Sequence, residues 1–274
     1  KPRERYTIAR RLQSLLELNL HLELSQWLFG AAAALLVGIS KTGIPGVGIL
    51  VVTLLANVFD GRQSVGIMLP MLIFGDCFAV AWYRRHAQWD RLVRLLPWVV
   101  VGMALGALAL WLSGKMKSDK DMLDIGIGVL VLLMLAIHLL RKVLGDRLTP
   151  HSKSGIAFTG SAAGFATTVS NAAGPIMQIY MTAQNISKEQ FMGTIAWYFF
   201  VINTAKLPIF AALSVANPSR PIMTWQTLLF DVLVFPAVLV GVFVGKWILP
   251  RISQEAFDRV VLVLSAIAAI KLIF

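Results

Sequence analysis

Three charged residues lie inside apolar stretches of the sequence. Lys41 follows a run of small and aliphatic residues, whereas Asp76 and Lys206 lie near the middle of later runs. A charge inside such a stretch is costly, so it normally faces a partner or a water-filled cavity. Lys41 and Lys206 are therefore predicted to contact a small anion. For Lys41 the alternative is a side chain that extends to a membrane surface and has no role in binding.

Lys41 belongs to one of two apolar segments that glycine and proline interrupt. The interruptions are residues 38–48 and 164–175, and they align when the chain is shifted by 126 residues. Matched interruptions of this kind point to the binding site of a transporter. Pro45 and Pro175 favour the first turn of a helix, so each interruption predicts a second half-helix that begins inside the apolar zone. The free N–H groups and positive dipole end of such a half-helix suit an anion.

The predicted anion site takes residues from both interruptions and from one later helix. Thr42, Ser170 and Asn171 are expected to cap the second half-helices, because their side-chain oxygens can accept hydrogen bonds from the first N–H groups. The complete set of predicted substrate-binding residues is Lys41, Thr42, Gly43, Gly46, Ser170, Asn171, Gly174, Asn203 and Lys206.

Asp76 is the candidate for ion coupling, and Asn203 occupies the corresponding place in the second half of the chain. A carboxyl group at this depth can carry a proton during transport, or it can form a structural ion pair with Lys41 or Lys206. Both interpretations stay open, and the coupling ion is either a proton or Na⁺. Asp231, a turn or two inside its own helix, is a lesser candidate.

The composition is that of an integral membrane protein. Of 274 residues, 57% are hydrophobic and 14% are charged, and the mean hydropathy is +0.74. These values lie outside the range of ordinary soluble domains. Besides the two interrupted segments, six continuous stretches are long enough to span a bilayer. They are approximately residues 64–83, 92–113, 122–140, 190–213, 225–249 and 257–274.

The predicted fold is an all-α integral membrane protein with two homologous four-segment repeats, each starting with a broken or re-entrant helix. The repeats are residues 27–143 and 155–274; a basic amphipathic segment at 1–26 precedes them, and a polar linker at 144–154 separates them. If the interrupted segments cross the membrane, the repeats are parallel. If they turn back, the repeats are inverted. Half-segments of about 11 residues reach about half the hydrocarbon core, which favours the inverted arrangement.

The charge pattern and the missing motifs exclude several classes of protein. The formal charge is +11, yet Lys and Arg lie in tails and short loops, as the positive-inside rule requires and unlike a nucleic-acid-binding surface. With four His and one Cys, no metal-ligand cluster is visible, and no nucleotide motif is present. No cofactor is expected. An intramembrane enzyme would need a nucleophile with its base, or a metal set, and neither is visible.

Several segments resemble one family of bacterial membrane proteins. They are residues 38–46 (GISKTGIPG), the four-plus-four duplication and residues 203–208. Together they resemble the sulfite exporter TauE/SafE family of permeases over almost the whole chain, from Trp27 to Phe274. The resemblance implies movement of sulfite or organosulfonate anions, often out of the cell.

The sequence therefore predicts a secondary transporter, an exporter of sulfite or a small organosulfonate anion, in a bacterial inner membrane. It would work by alternating access around a site between the two repeats. Its partners would be this anion, a coupling proton or Na⁺, and the lipid bilayer, with no nucleic acid. The alternative is a membrane-embedded sensor or receptor for a small anion, which would normally need a soluble output domain.

Overall fold

The computed structural model describes residues 23–42, 47–115, 125–133, 152–182 and 186–248, with isolated positions 136, 140, 263 and 270. Within these ranges every regular element is helical, as predicted. The helices are α1 Leu24–Thr42, α2 Val47–Ala56, α3 Gly61–Tyr83, α4 Trp89–Lys115, α5 Lys153–Ser170, α6 Gly174–Thr182, α7 Lys188–Ala216 and α8 Trp225–Ile248; a 3₁₀ turn, Arg84–His86, follows α3. Residues 125–133 are also helical. The predicted segment 1–26, the linker 144–154 and the predicted span 257–274 lie largely outside the described residues, and the predicted span 122–140 is described at 125–133, 136 and 140.

Five of the described helices are long and apolar enough to cross a membrane. They are Leu24–Thr42, Gly61–His86, Trp89–Lys115, Glu189–Ala216 and Trp225–Trp247. The last four contain the predicted spans 64–83, 92–113, 190–213 and 225–249 almost entirely. Helices α2 and α6 have only 10 and 9 residues. At ~1.5 Å per residue they extend over about half of the hydrocarbon core, as expected for the second half of an interrupted segment.

The helix starts are set by side-chain caps outside the apolar stretches. Asp60 caps α3, and Ser152 caps α5, each by accepting a hydrogen bond from a backbone N–H group of the first turn. Ser187 and Gln190 form a reciprocal capping box at the start of α7. Prolines occur inside four of the long helices without ending them, which is common in membrane helices. They are Pro70, Pro97, Pro208 and Pro236.

The first interrupted segment turns back instead of continuing through the bundle. Gln26, at the start of α1, donates a hydrogen bond from Nε2 to the carbonyl of Val58, just after α2, at 3.2 Å. The rings of Trp27 and Phe59 both pack against Phe230, with centroid distances of 5.1 and 5.6 Å. The start of α1 and the end of α2 therefore lie at the same end of the bundle, and the pair forms the first hairpin.

The second interrupted segment also turns back. Tyr180, near the end of α6, donates a hydrogen bond from its hydroxyl group to the carbonyl of Arg91 at 3.2 Å. Gly160, in the first half of α5, lies against Leu95 and Trp98. Both halves of the segment therefore lie beside the first part of α4, and α5 and α6 form the second hairpin.

The two hairpins enter the bundle from opposite ends. Asp60, at the start of α3, forms an ion pair with Arg220 at 3.3 Å, and this contact defines the Asp60 end. At the other end of α3 the backbone N–H of Gln88 donates to Thr194 Oγ1 at 2.9 Å, close to Ser187, which defines the Ser187 end. The first hairpin begins and finishes at the Asp60 end, and the second begins and finishes at the Ser187 end.

Glycines allow close contact between two pairs of helices, α1 with α8 and α5 with α4. A Cβ atom on Gly38 would overlap the carbonyl oxygen of Val238, and a Cβ atom on Gly164 would overlap that of Val99. At such positions only glycine lets the two backbones approach. Each hairpin therefore packs against the second long helix that follows the other hairpin.

The partner helices α4 and α8 each contribute two glycines, four residues apart, to the same contacts. Gly106 on α4 lies against Thr168 on α5, and Gly245 on α8 lies against Thr42 on α1. The other two glycines, Gly102 and Gly241, lie against backbone atoms of α5 and α1. These four glycines therefore serve helix packing.

Candidate functional site

A cavity of about 80 Å³ lies where the inner ends of the two hairpins meet α3 and α7. This volume holds several water molecules, since one water needs about 10–15 Å³ measured in this way. Most of the wall is apolar. The polar side chains in it are Ser40, Lys41, Asp76, Thr167, Asn171 and Asn203.

Lys41 and Asp76 form an ion pair at the wall of this cavity. Lys41 Nζ lies 2.6 Å from Asp76 Oδ1, and the Lys41 side chain is 10% exposed. The other carboxylate oxygen, Oδ2, accepts a hydrogen bond from Asn203 Nδ2 at 2.7 Å. Lys41 Nζ also lies 4.7 Å from the centre of the Phe199 ring, within the range of a cation–π contact. The lysine thus points into the bundle and not towards a membrane surface.

Lys206 binds the second hairpin and not Asp76. Its Nζ donates to the carbonyl of Thr167 at 2.9 Å, to the hydroxyl oxygen of Thr167 at 3.0 Å and to Asn171 Oδ1 at 2.5 Å. An ammonium group has three donors, and three oxygens accept here. Lys206 is fully buried. In the described part of the chain no ion pair within 4.0 Å joins Lys206 to Asp76, so the interpretation of Asp76 as the direct counter-ion of Lys206 is wrong.

Asn171 is the residue at which the second hairpin turns. It ends α5 in the left-handed conformation, with φ of 55°, which asparagine tolerates better than most residues. Its Nδ2 donates to the carbonyl of Val65 on α3 at 3.0 Å. Since its Oδ1 binds Lys206, one side chain connects the turn of the hairpin to both α3 and α7.

The caps of α6 that were predicted for Ser170 and Asn171 do not form. Ser170 donates its hydroxyl to the carbonyl of Ala166, and Asn171 caps the C-terminus of α5. Hydroxyl side chains in the last turn of a helix commonly bond back to a carbonyl one turn earlier. Thr42 likewise donates to the carbonyls of Gly38 and Ile39, but the four residues that follow it lie outside the described residues, so its cap stays a prediction. Ser170 and Asn171 therefore end α5 and give the N–H groups of α6 no side-chain cap.

Both second half-helices begin at the cavity. Gly48 and Ile49 from the start of α2, and Gly174 and Pro175 from the start of α6, line its wall. A Cβ atom on Gly48 or Gly174 would meet nothing within 4 Å, so space is open beside the backbone. The starts of two helices thus border one small volume, and helix N-termini are the places where free N–H groups favour an anion. The predicted site residues Gly43 and Gly46 lie outside the described residues.

In their ionised forms the charged side chains described around this cavity would not cancel, because Lys41 and Lys206 carry two positive charges and Asp76 carries one negative charge. An excess positive charge inside an apolar bundle is unfavourable without a counter-ion. A bound anion would restore the balance.

Thr167 and Phe199 were not among the predicted site residues. Thr167 occupies the position of Lys41 when the chain is shifted by 126 residues, so the repeat itself carried a signal for it. Phe199 belongs to the run Trp197–Phe200, in which no feature of the sequence distinguishes the ring beside the cavity from rings that only pack. Among the described residues no cluster of His, Cys, Asp and Glu side chains could hold a metal ion.

Comparison with known proteins identifies the family of this chain. Residues 30–272 match the family described as Sulfite exporter TauE/SafE. No curated protein and no solved structure gives a match. The matched region includes the second hairpin, all but the first six residues of the first hairpin and all the residues around the cavity, and the family is one of membrane permeases. The all-helical, multi-pass membrane chain described above belongs to the sulfite exporter TauE/SafE family.

Proposed function

We propose that the protein is a secondary transporter that exports sulfite or a small organosulfonate anion. The observation that carries the proposal is the arrangement at the cavity, where two helix N-termini meet a cluster with an excess positive charge. In a family of permeases, a site of this kind suits a transported anion. No nucleotide motif is present in the sequence, so an ion gradient or the anion's own gradient would drive transport.

The proposed anion site combines a charge with backbone N–H groups. Lys41 provides the charge in the wall of the cavity, and the first turns of α2 and α6 provide the N–H groups, with Gly174 leaving room for the anion. Gly43 and Gly46 stay predicted members of the site. Lys206 adds a second positive charge behind Thr167 and Asn171. The remaining members of the site hold these groups in place: Thr42, Ser170, Asn171 and Asn203.

Asp76 is proposed as the ion-coupling residue. In the described conformation the carboxylate of Asp76 forms an ion pair with Lys41, so an anion has to compete with this carboxylate for the ammonium group of Lys41. A proton on Asp76 removes the competing charge and leaves Lys41 to the anion. Proton and anion would then bind together and move in the same direction, so export would be driven by the outward gradient of the anion, which would carry the proton with it. Na⁺ near Asp76 would act in the same direction.

The chain is proposed to consist of two inverted four-segment repeats that alternate access to the cavity. Support comes from matched contacts: Gly38 lies against Val238 as Gly164 lies against Val99, and the hairpins enter from opposite ends. The N-terminal residues 1–26 and the linker 144–154 would lie outside the repeats. Rocking of one repeat against the other would move each hairpin against its partner helix and open the cavity to each side in turn.

The protein is proposed to act in a bacterial inner membrane, without a cofactor, and not as an enzyme. The family is a family of permeases. The alternative of a membrane-embedded sensor has no support from the comparisons, and it would leave the excess charge and the two facing hairpins without a transported partner.

Counterflow in proteoliposomes tests the proposal. Vesicles that contain the purified protein are loaded with unlabelled anion, and uptake of labelled sulfite is followed. Sulfite and sulfoacetate inside the vesicles should drive uptake. Taurine should drive it less, because its ammonium group would be repelled by the excess positive charge. Sulfate serves as the test of selectivity among oxyanions.

The matched control for this experiment is Lys246→Gln. Lys246 lies over the Trp82 ring, away from the cavity, at 4.4 Å from the ring centre. This variant should transport like the wild type, whereas Lys41→Gln should not. Equal counterflow by wild-type and Lys41→Gln protein, or no counterflow with any of the four compounds, would contradict the proposal.

A further inference from the structure

Asp231 on α8 is a buried carboxyl group that the proposed anion site does not use. It is 1% exposed, and neither Oδ1 nor Oδ2 accepts a hydrogen bond within the described part of the chain. It does not line the cavity. A polar group that is buried without a partner in a membrane helix calls for an explanation.

The side chain lies on the face of α8 that packs inside the bundle. Val234 and Val238 follow on the same face at helical spacing, and both are buried. Val238 is the residue whose carbonyl lies against Gly38 of α1. The neighbouring Phe230 packs against Gly30, also on α1. Asp231 therefore lies beside the contact between α8 and the first hairpin.

Among the described residues no charged group balances Asp231. Helix α8 packs against α1 and α3. The titratable groups on these three helices, apart from Asp231, are Lys41 on α1, Arg62, Asp76, Cys77 and Tyr83 on α3, and Lys246 on α8. Lys41 pairs with Asp76, and Lys246 lies over the Trp82 ring. In the part of the chain that the structure describes, no ion pair within 4.0 Å includes Asp231.

An ionised carboxylate in these surroundings would be strongly destabilising. Removal of an unpaired charge from water costs so much free energy that the group takes up a proton instead. Packing does not require an acid here. When the chain is shifted by 139 residues, so that Pro97 aligns with Pro236, position 231 aligns with Leu92, which is also 1% exposed. An apolar side chain thus fills the corresponding place on α4.

A metal ion fits this place poorly. A cation such as Na⁺ or Ca²⁺ prefers several oxygen ligands. The hydroxyl one turn before Asp231 belongs to Thr227. It donates to the carbonyl of Thr224 at 2.9 Å and accepts from the backbone N–H of Thr224 at 2.9 Å. A proton needs only one oxygen.

We propose that Asp231 is a proton-binding site, protonated while α8 is packed against α1 and ionised when this contact opens to water. Release of the proton would then accompany movement of the first hairpin away from α8. The proposal rests on the movement assumed in the proposed function but not on the identity of the transported anion, and it places a second titratable group beside the moving contact, separate from Asp76.

Infrared spectroscopy tests the protonation directly. Purified protein in a maltoside detergent, which has no carbonyl group, is measured at neutral pH without any anion. The C=O stretching band of a protonated carboxylic acid should be present in the wild type, lost in Asp231→Asn and retained in Asp76→Asn. If Asp231→Asn does not fold, Asp231→Leu, which copies Leu92, should show the same loss. A wild type without the band, or an Asp231 variant that keeps it in full, would overturn the proposal.

Cysteine labelling tests the link to opening. In a Cys77→Ser background, Val234→Cys places a thiol one turn from Asp231 on the same buried face. Labelling by a water-soluble thiol reagent rises with pH as the thiolate forms, by at most tenfold per pH unit. The rise should be several times larger with Asp231 present than in the Asp231→Asn background. Equal rises would show that Asp231 does not control opening. The infrared and labelling measurements use no anion, so a protein that proved not to bind anions would still give the expected result in both.

Discussion

Lys206 Nζ lies 2.5 Å from Asn171 Oδ1, so the buried cation of α7 is bound to the residue at which the second hairpin turns. Asn171 reaches α3 as well, through its hydrogen bond to Val65. If the hairpin turn moves, it therefore either breaks its hydrogen bonds to Lys206 and Val65 or moves together with α7 and α3. Lys206 has no carboxylate partner among the described residues, and its positive charge is balanced only by the dipoles of neutral oxygens.

Replacement of Asn171 by Asp should separate folding from anion binding. The new carboxylate would pair with Lys206 and remove the excess positive charge, so the protein should fold but lose affinity for anions by about tenfold or more. Calorimetric titration with sulfite measures this loss. Asn171→Gly is the matched comparison, because it keeps the left-handed backbone but removes an acceptor from a buried cation. It should lower the free energy of unfolding by about 1–3 kcal/mol. Unchanged affinity in a folded Asn171→Asp protein would mean that the excess charge plays no part in binding.

Replacement of Lys41 by Gln should weaken anion binding sharply. The amide keeps a similar length but removes the charge in the cavity wall. A hydrogen bond to a charged group contributes roughly 1.5–3 kcal/mol, which corresponds to about ten- to a hundredfold in affinity. Calorimetry on the purified variant measures the change, with Lys246→Gln as the control. Binding of wild-type strength would show that Lys41 serves Asp76 alone.

Asp76→Asn should abolish transport driven by a proton gradient and leave exchange of anion across the membrane intact. Exchange needs no net movement of protons, and an amide at this position no longer competes for Lys41. The variant should fold, because Asn203 shows that an amide fits the corresponding position. Parallel assays of gradient-driven uptake and of counterflow distinguish the outcomes. If both activities and the folding yield fall together, Asp76 is only a structural counter-ion, and if gradient-driven uptake persists, it has neither role.

Gly38→Ala should destabilise the protein through the contact between α1 and α8. The added methyl group would overlap the carbonyl of Val238, and such overpacking typically costs about 1–3 kcal/mol. Gly48→Ala is the matched control, since no atom lies within 4 Å of its added methyl group. Thermal unfolding in detergent should show a lower transition temperature for Gly38→Ala alone. A similar shift in both variants would point to a general effect of alanine at these glycines.

The hairpins predict which loops share a side of the membrane. In a Cys77→Ser background, Ser25→Cys and Lys115→Cys should both react with an impermeant thiol reagent added to the same side, and Ser187→Cys should react only from the other side. Continuous crossing of the first interrupted segment would put positions 25 and 115 on opposite sides, because an odd number of crossings would then separate them. Labelling of oriented membrane vesicles from each side in turn decides between the two arrangements.

Much of this structure follows from local patterns in the sequence. The long helices were predictable because their apolar residues continue for the width of a bilayer. The hairpins were predictable as interruptions, since glycine and proline occur at matched places such as Gly38 and Gly164. The direction of each segment after its interruption was not predictable, because a half-helix that crosses the membrane and one that turns back have the same length and composition. The contact of Gln26 with Val58 decides this point, and it joins residues far apart in the chain.

The candidate site was predictable in composition but not in pairing. Lys41, Asp76, Asn203 and Lys206 stand out because polar groups are rare at such depth. Which cation pairs with Asp76 depends on how the helices rotate against each other, and packing of the whole bundle sets that rotation. The capping prediction failed at Ser170 for a local reason. Its hydroxyl donates to the carbonyl of Ala166 one turn earlier and accepts no hydrogen bond from the start of α6, and no feature of the sequence distinguishes these two arrangements.

The glycine contact between Gly38 and Val238 also constrains the biogenesis of the protein. Helix α1 leaves the ribosome long before α8 is synthesised, so its glycine face must wait in the membrane without the partner that it fits. During this interval Lys41 can already find Asp76 on α3, whereas the acceptors for Lys206 precede it in the chain and are present when it arrives. A chain that stops before Trp225 would leave the glycine face of α1 exposed to lipid and to quality-control proteases. Insertion of α8 is therefore the step that packs the first hairpin into the bundle.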